Sequence, residues 1–298
     1  MSALVTLDGC TKVFRVGAFG ARRLTAVRDV TLEIRPGEVV SLIGESGSGK
    51  STIGRMILRL SPVTEGTISF KGQGIAQLRR SALKEYYRHA QGVFQDPFSS
   101  YNPVYKADRI FKLIRDAYFR GVDSRSWLAK LETALDAVAL DPGQVLHKFP
   151  HQLSGGQLQR LLIARALLLD IELLVADEII SMLDASTRID VLNLLGDLKT
   201  RGVGILFITH DLSLGNYISD RTLILRRGVV VESGTTEKVF GDPRHPYTRM
   251  LLDSVPHLDR RWEGTDADFA AADATIDVDG HDSILSAVEP GHLVRTAA

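Results

Sequence analysis

The amino-acid sequence predicts an α/β protein, and three observations lead to this fold class. The first third of the chain contains segments in which apolar and polar residues alternate, as in strands with one buried face. A glycine-rich stretch then joins an apolar segment to a helical one. After about residue 165, apolar strand-like segments alternate with helical segments, which is typical of a parallel sheet covered by helices.

The N-terminal strands follow one another in order. We predict LVTLDG and FRVG as the first two strands, with the loop GAFGARR after them. AVRDVTLEI alternates with a period of two residues, and GEVVSLIG is a short apolar strand that begins after Pro36 and Gly37. The pattern becomes helical from Ser51, in STIGRMILRL.

A helical section interrupts this alternation. Residues from about 103 to 165 are predicted to be mostly helical and to form an inserted subdomain. LLVAD, RIDVLNLLGDLKTRG and GILFITH then restore the alternation of strand and helix, and LILRRGVVVESG is predicted as two strands joined by a turn. After about residue 262 the alanine- and aspartate-rich composition predicts a loosely ordered linker, followed by a strand-like close in ILSAVEPGHLV.

Composition and charge exclude several classes of protein. The 298 residues are enough for one or two domains with a large core. Lysine plus arginine balances aspartate plus glutamate at 36 each, so no global charge indicates nucleic-acid binding. The one cysteine, Cys10, excludes an intramolecular disulfide. No apolar run approaches the roughly 20 residues that span a bilayer, so we expect a soluble protein or one held at a membrane by partners.

The stretch GESGSGKST carries the clearest chemistry. It satisfies the pattern G-x-x-x-x-G-K-[ST] between an apolar strand and a helix, which predicts a phosphate-binding loop. Glycines let backbone N–H groups converge on an anion, and the helix N-terminus adds partial positive charge. The alternative is a glycine-rich turn without a ligand. The predicted nucleotide-binding residues of the loop are Gly44, Glu45, Ser46, Gly47, Ser48, Gly49, Lys50, Ser51 and Thr52.

Two adjacent acids end the apolar segment LLVA. Burying the charges of Asp177 and Glu178 at the end of a strand would cost free energy unless a cation lies beside them. Ligands of parallel α/β sheets bind at the carboxyl ends of the strands, so we expect the acids near the phosphate loop. There, Asp177 would hold Mg²⁺ and Glu178 would orient the water that attacks the γ-phosphate. The alternative is a pair of acids that caps a helix.

Further motifs resemble those of the ABC-type ATPases, in that family's order. HQLSGGQLQR is similar to the family's signature sequence, and Gln95 in VFQDP resembles the Q-loop glutamine. SMLD, at residues 181–184, resembles the D-loop, and His210 in ITHD resembles the switch histidine. Phe14 stands where the family places a ring that stacks on adenine.

The resemblance implies the roles of individual residues. Catalysis falls to Lys50, Gln95, Glu178 and His210, while Ser51, Gln95 and Asp177 hold Mg²⁺. ATP is contacted by Phe14, the loop 44–52, Gln95 and His210. The signature residues Ser154, Gly155, Gly156 and Gln157 would bind the γ-phosphate held by a second ATPase subunit.

The C-terminal stretch FGDPRHPYTRMLLDSVP narrows the resemblance to the oligopeptide, dipeptide and nickel importers, and to their second type of ATPase subunit. This implies a P-loop ABC ATPase with a RecA-like parallel sheet core, an N-terminal antiparallel β subdomain and an inserted helical subdomain at about 97–165. The ATPase domain is expected at 1–240 and a small C-terminal extension, with an acidic and partly flexible segment, at 241–298.

The same resemblance implies partners and a location. We expect a heterodimer with a second ABC ATPase, two membrane-spanning permease subunits, an extracytoplasmic substrate-binding protein, no nucleic acid, and a peripheral position on the cytoplasmic face of the cell membrane. The expected function is to power import of oligopeptides or a related solute. Import of an oligosaccharide or a nickel chelate, and a non-transport ABC assembly, remain alternatives.

The chain departs from the family pattern at three places. Ile179 replaces a proline after the paired acids, and Met182 replaces an alanine in the D-loop, so communication between the two ATP sites is open to change. Relatives often carry cysteines after the HPYT motif, in some cases with an iron–sulfur cluster. Arg295 stands where a cysteine would be expected, and we therefore predict no cluster.

Overall fold

The computed structural model describes residues 2–17, 22–254 and 283–297. The chain divides into two compact units, and the second is inserted in the sequence of the first. The first unit comprises Met1–Gln77 and Leu206–Ala298, and the second comprises Leu78–Ile205. The acidic segment predicted to be partly flexible, at 263–282, lies outside the described residues.

An antiparallel sheet begins the first unit. Its four strands are β1 (Val5–Val16), β2 (Arg22–Ile34), β4 (Glu65–Phe70) and β5 (Gln73–Gly74), in the order β2-β1-β4-β5. The two strands predicted in LVTLDG and FRVG are one strand, because shifts in the β1–β2 register absorb the interruption between them. The predicted N-terminal β subdomain is therefore present.

A second sheet of the first unit is mixed. Its strands are β3 (Val39–Ile43), β8 (Gly204–Thr209), β9 (Arg221–Arg226), β10 (Val229–Thr235), β11 (Ser283–Glu289) and β12 (His292–Ala297), in the order β11-β12-β10-β9-β3-β8. β3 and β9 run parallel, whereas β10 pairs antiparallel with β9 and with β12. All five residues of β3, including Ser41, are buried, as expected of a short strand with four apolar residues.

Among the described residues of this unit, the helices that accompany the sheet are α1 (Lys50–Ile57), α8 (Leu212–Ile218), α9 (Thr236–Gly241) and α10 (Pro246–Asp253). α8 packs closely on the end of β3, since a Cβ added at Gly215 would lie 2.5 Å from Cδ1 of Ile43. The buried cluster beneath these helices contains Ile43, Leu212, Ile224, Val229, Val231, Val239, Tyr247 and Met250. The start of α8 and the start of α10 thus share one core with the strand that precedes the phosphate loop.

The predicted strand-like close is confirmed as a hairpin of β11 and β12, and β12 extends the sheet beside β10. Arg295 fastens it, because its guanidinium donates to the carbonyl of Val230 at 2.9 Å and to the carbonyl of Ser283 at 3.0 Å. Burial lowers the pKa of Arg295, and the two carbonyls give its Nε and Nη1 groups acceptors in this buried position. Within the described residues, none of the helices is both long enough and apolar enough to cross a bilayer.

The second unit is mainly helical. Its elements are α2 (Arg80–His89), β6 (Ala90–Val93), α3 (Arg109–Tyr118), α4 (Ser124–Asp136), α5 (Pro142–Val145), α6 (Gly155–Leu167), β7 (Leu173–Asp177) and α7 (Ala185–Thr200). Short 3-10 helices occur at Phe98–Ser100 and Pro150–Gln152. β6 and β7 form a parallel pair. Residues 97–165 hold α3, α4, α5 and most of α6, while the subdomain boundary itself stays a prediction.

Candidate functional site

The phosphate loop lies between the end of β3 and the start of α1, as the sequence predicts. A Cβ added at Gly44 would lie 2.0 Å from the carbonyl oxygen of Leu225, and one at Gly49 would lie 2.4 Å from that of Ala26. Neither backbone oxygen can leave its strand without breaking the sheet. Glycine is therefore required at both positions because the loop packs against β9 on one side and β2 on the other.

Lys50 joins the end of the phosphate loop to its beginning through hydrogen bonds. Its side chain is 4% exposed, and its ammonium donates to the carbonyls of Gly44 and Glu45, each at 2.7 Å. Ser51 and Thr52 follow in the first turn of α1, which carries no acidic residue. The ammonium, the helix N-terminus and the absence of acids in that turn together favour an anion at this loop.

The loop is also held by the predicted turn between β9 and β10, although the sequence did not predict this contact. The amide of Gly228, between β9 and β10, donates to the carbonyl of Ser48 at 3.0 Å. The carbonyl of Gly228 in turn accepts from the amide of Arg28 in β2, at 2.8 Å. The only local signal was the turn in LILRRGVVVESG, and nothing in its spacing indicated the phosphate loop as its partner.

Phe14 lies near the end of β1 and is 36% exposed. The Lys12 ammonium is 4.9 Å from the centre of its ring and donates to the carbonyl of Pro62 at 2.6 Å. The ring is thus supported by a fixed cation, while part of its surface stays accessible to a planar base. Its contact with adenine stays a prediction.

His210 directly follows β8 and is exposed. The next residue, Asp211, caps α8 by accepting from the amides of Ser213 at 2.9 Å and Leu214 at 3.2 Å. Leu212 is anchored in the same buried cluster as Ile43, the residue just before the phosphate loop. His210 is therefore held between a buried strand and a capped helix, which fixes its backbone.

The paired acids of the second unit differ sharply in environment. Asp177 ends β7 and is 4% exposed. Glu178 is half-buried and has a backbone φ of 51°, in the left-handed region that residues other than glycine rarely adopt. Its carbonyl accepts from the Ser181 hydroxyl at 2.9 Å, which holds the turn. Strain of this kind at a glutamate is typical of functional positions.

Gln95 lies at the same strand edge as Asp177. β6 and β7 are parallel, and Val93 pairs with Ala176, so Asp177 at the end of β7 and Gln95 just after β6 lie at the carboxyl ends of adjacent strands. Gln95 is exposed. The register thus brings two of the three predicted metal-binding residues to one edge, whereas Ser51 belongs to the first unit.

The signature residues form the start of α6. Ser154 is the N-cap, its hydroxyl accepts from the Gln157 amide at 3.1 Å, and the Gln157 side chain accepts from the Ser154 amide at 2.9 Å. This reciprocal capping box places Gly155 and Gly156 in the first turn, where amides have no acceptor within the helix. A first turn of this kind can bind an anion.

α6 also anchors the glutamine loop. The buried Gln159 donates to the carbonyl of Phe94 at 3.1 Å, and Arg165 donates to that of Gly92 at 2.8 Å. Both carbonyls belong to the strand end that leads to Gln95. The helix that begins with the signature is therefore hydrogen-bonded to the backbone that leads to Gln95.

The D-loop is held at its end. Asp184 caps α7 and accepts from the Ser186 hydroxyl at 2.6 Å and from the Thr187 amide at 3.0 Å. These hydrogen bonds hold the pKa of Asp184 far below its usual range. Ile179 is buried at 1% exposure, whereas Met182 is 56% exposed. The departures at Ile179 and Met182 therefore lie in different environments.

Comparisons with known proteins agree with this geometry. A family model described as "ABC transporter" matches residues 27–181, which include the phosphate loop, the signature and the paired acids. The chain belongs to this family. A second model, described as "Oligopeptide/dipeptide transporter, C-terminal region", matches residues 231–275 of this ABC protein.

Curated relatives match almost the whole chain. The oligopeptide transport ATP-binding protein OppF of Streptococcus mutans is 38% identical over 98% of this chain and 94% of its own length. The dipeptide transport ATP-binding protein DppF of Lactococcus lactis is also 38% identical, over 98% of this chain and 93% of its own length. The predicted family resemblance, including its importer branch, is confirmed.

Solved structures confirm the fold class. An ATP-binding cassette, solved as a dimer in a post-hydrolysis state with ADP and Pi, has a TM-score of 0.71 and 28% identity, covering 78% of this chain and 98% of its own. The fold also matches cbiO1 of Clostridium perfringens, with a TM-score of 0.68 and 21% identity over 84% of this chain and 96% of its own. This ABC protein is an ATPase that binds ATP.

Proposed function

We propose that this ABC ATPase powers the import of peptides across a membrane. The observation that carries the proposal is the combination of an intact phosphate loop with a C-terminal region of the oligopeptide/dipeptide transporter type in one chain. Relatives named for oligopeptide and for dipeptide transport match both parts together. Peptides are therefore the class of solute that the whole-chain similarity supports.

ATP would bind with its phosphates at the loop 44–52 and its adenine against Phe14. Mg²⁺ would be held by Ser51, Gln95 and Asp177. A hydroxyl, an amide oxygen and a carboxylate are hard oxygen donors of the kind that Mg²⁺ prefers, so the residues fit the ion. The ion would neutralise charge on the phosphates during transfer.

Hydrolysis would depend on Glu178, which would orient the attacking water and accept its proton. Lys50 and His210 would stabilise negative charge on the γ-phosphate. Gln95 would contact the metal ion or the attacking water. The buried Asp177 beside the half-buried, strained Glu178 supports a division of labour, in which Asp177 would hold the metal and Glu178 would face the attacking water. Phosphoryl transfer needs such positioning and charge more than covalent chemistry.

A second ATPase subunit would complete each site. Ser154, Gly155, Gly156 and Gln157 would contact the γ-phosphate held by that subunit, and the branch resemblance favours a heterodimer. The capped first turn of α6 supports this role, because its amides suit an anion. A matching cassette was solved as a dimer with ADP and Pi, which is consistent with nucleotide-dependent pairing in this fold.

Association with permease subunits follows from the transport family, and we place the protein peripherally on the cytoplasmic face of the membrane. Two permease subunits and an extracytoplasmic binding protein would complete the importer, with no role for nucleic acid. The ATPase subunit does not need to touch the solute. The choice among peptide, oligosaccharide and nickel chelate therefore rests with those partners.

A Glu178→Gln variant tests the catalytic assignment. The amide keeps the size and hydrogen-bonding capacity of the side chain but cannot accept the proton, so ATP binding should persist while turnover falls at least about 100-fold. Steady-state phosphate release and equilibrium ATP binding would be measured on wild type and variant. Hydrolysis at the wild-type rate would show that Glu178 is not the base.

Purification of the protein with its native partners tests the transport assignment. Recovery with two polytopic membrane proteins, and ATPase activity stimulated by peptide-loaded binding protein in reconstituted membranes, is expected. Stimulation by a nickel chelate or an oligosaccharide, but not by peptide, would show that the imported solute belongs to that class and is not a peptide. Recovery only in a soluble complex would favour the non-transport alternative.

A further inference from the structure

The peptide group of Glu45, in the phosphate loop, is held from two sides. Its carbonyl accepts from the Lys50 ammonium at 2.7 Å, and its amide donates to the hydroxyl of Tyr247 at 3.3 Å. Tyr247 belongs to the first turn of α10, which is 202 residues away along the chain. A C-terminal side chain thus reaches the loop that is expected to carry the triphosphate.

Tyr247 is built into its position. It is 0% exposed, belongs to the buried cluster with Ile43, and stacks under the guanidinium of Arg226, which lies 4.3 Å from the ring centre. Arg226 also lies 3.8 Å from the carboxylate of Glu45. Burial raises the pKa of Tyr247 well above its usual value, so the hydroxyl stays neutral and can serve the loop amide.

The start of α10 is fixed by a buried carboxylate. Glu232 of β10 is 0% exposed and accepts from the amides of Arg244 at 2.8 Å and His245 at 3.0 Å. His292 of β12, also 0% exposed, approaches the same carboxylate at 2.7 Å. His245 Nδ1 then accepts from the Tyr247 amide at 3.1 Å. A continuous chain of contacts therefore joins the C-terminal hairpin to the phosphate loop.

We propose that Tyr247 is a positioning residue for the phosphate loop, through which the C-terminal segment around α10 and β12 sets the affinity for nucleotide. The inference rests on ATP binding at this loop and adds a coupling to it. A displacement of α10 moves the Glu45 peptide, and with it the carbonyl that the Lys50 ammonium grips. A molecule that shifts the C-terminal segment would therefore alter nucleotide binding, and nucleotide would alter that segment equally.

The Tyr247→Phe variant tests the contact, because it removes the hydroxyl and keeps the ring beneath Arg226. Losing one hydrogen bond at the loop should weaken ATP binding and raise KM about three- to tenfold, with kcat changed less than twofold. Residue-resolved hydrogen exchange should show faster exchange of the Glu45 amide. Tyr118→Phe is the matched control, since its hydroxyl donates to the carbonyl of Lys84 in the second unit.

Two outcomes would overturn the proposal. One is an ATP affinity and Glu45 exchange rate in Tyr247→Phe that equal those of wild type. The other is an affinity loss in the Tyr118→Phe control as large as in Tyr247→Phe, because the effect would then be a general one of losing a hydroxyl. Absence of ATP binding by the wild-type protein would instead refute the proposed function, so the two failures are distinguishable.

Reciprocity supplies an independent measurement. ATP added to the wild-type protein should slow amide exchange in α10, and this protection should shrink at least twofold in Tyr247→Phe. Exchange in α3, in the second unit, serves as the reference within the same sample. Equal protection of α10 by ATP in wild type and variant would show that the coupling does not pass through Tyr247.

Discussion

The phosphate loop and the D-loop are supported in opposite ways. The phosphate loop depends on residues far away in sequence. Its glycines pack against Ala26 and Leu225. One of its carbonyls accepts from the Gly228 amide, and one of its amides donates to the Tyr247 hydroxyl. The D-loop and the nearby signature turn are held within a few residues by side-chain caps such as Ser154–Gln157 and Asp184–Thr187. Both regions carry family motifs, but only one needs the assembled sheet to take its shape.

This difference predicts different responses to mutation. A loop clamped by distant backbone has no room to relax, so a small added group is costly. A turn capped by its own neighbours loses only the cap when a side chain is removed.

Gly44→Ala should be the most damaging single change. The new Cβ would lie 2.0 Å from the carbonyl oxygen of Leu225, so either the loop or β9 must move. We expect a loss of more than about 3 kcal/mol in the free energy of unfolding, together with loss of ATP binding. Denaturant unfolding and equilibrium nucleotide binding measure the two effects.

Gly47→Ala is the matched control within the same loop. Gly47 has a φ of 82°, but nothing lies within 4 Å of its added Cβ, so only the backbone strain of about 1 kcal/mol is expected. If both variants lose the same stability, the clamp on Gly44 does not exist and the contrast between the two regions collapses.

Sequence reasoning identified the phosphate loop because its motif is contiguous, and it placed Asp177 near that loop because ligands bind at the carboxyl ends of parallel strands. Gln95 was predicted only through the family resemblance, and the β6–β7 register brings it to the same strand edge. Sequence reasoning singled out Tyr247 only as part of the HPYT motif and Gly228 only as part of a turn. It could not find their contacts with the phosphate loop, since these are set by the assembled fold and not by spacing. It also predicted the strand-like close at the C-terminus without its pairing with β10. Local chemistry was therefore predictable, and the support from distant residues was not.

As the pH falls, the region that carries the phosphate loop should be the first to lose stability, because of His245. Desolvation by burial lowers the pKa of His245 to about 4 from 6.5, against an opposing effect of Glu232. Between these values the unfolded chain binds a proton that the folded chain excludes, so stability falls as pH falls. The loss from pH 7 to pH 5 should be about 2 kcal/mol at about 1.4 kcal/mol per pKa unit.

Denaturant unfolding of wild type and His245→Asn at the two pH values measures this slope, because asparagine can still accept from the Tyr247 amide but does not titrate. Asp184, in the other region, has a pKa held below its usual range, so its contribution is lost only at far more acidic pH. An unchanged pH slope in His245→Asn would remove His245 as its source.

The strained turn at Glu178 offers a smaller effect of unusual sign. Its φ of 51° suits glycine, so Glu178→Gly should be more stable than Glu178→Ala by about 1 kcal/mol, the reverse of the order in a helix. Both variants should lack hydrolysis. Thermal or denaturant unfolding of the pair gives the difference, and a more stable alanine variant would show that the turn is not strained in solution.

The smallest effect belongs to the locally capped signature turn. Gln157→Ala removes the side chain that accepts from the Ser154 amide, so we expect a loss of only about 0.5 to 1 kcal/mol in the free energy of unfolding. Gln157→Glu is the matched control, because glutamate also completes a capping box and should leave stability near wild type.

The same glutamate would bring a negative charge to the turn that is proposed to contact the γ-phosphate bound by the second subunit. ATP-dependent pairing should therefore fall in Gln157→Glu, in which the cap is intact, so that function and local stability separate at one residue. A loss of stability in Gln157→Glu as large as in Gln157→Ala would mean that the capping box does not hold this turn.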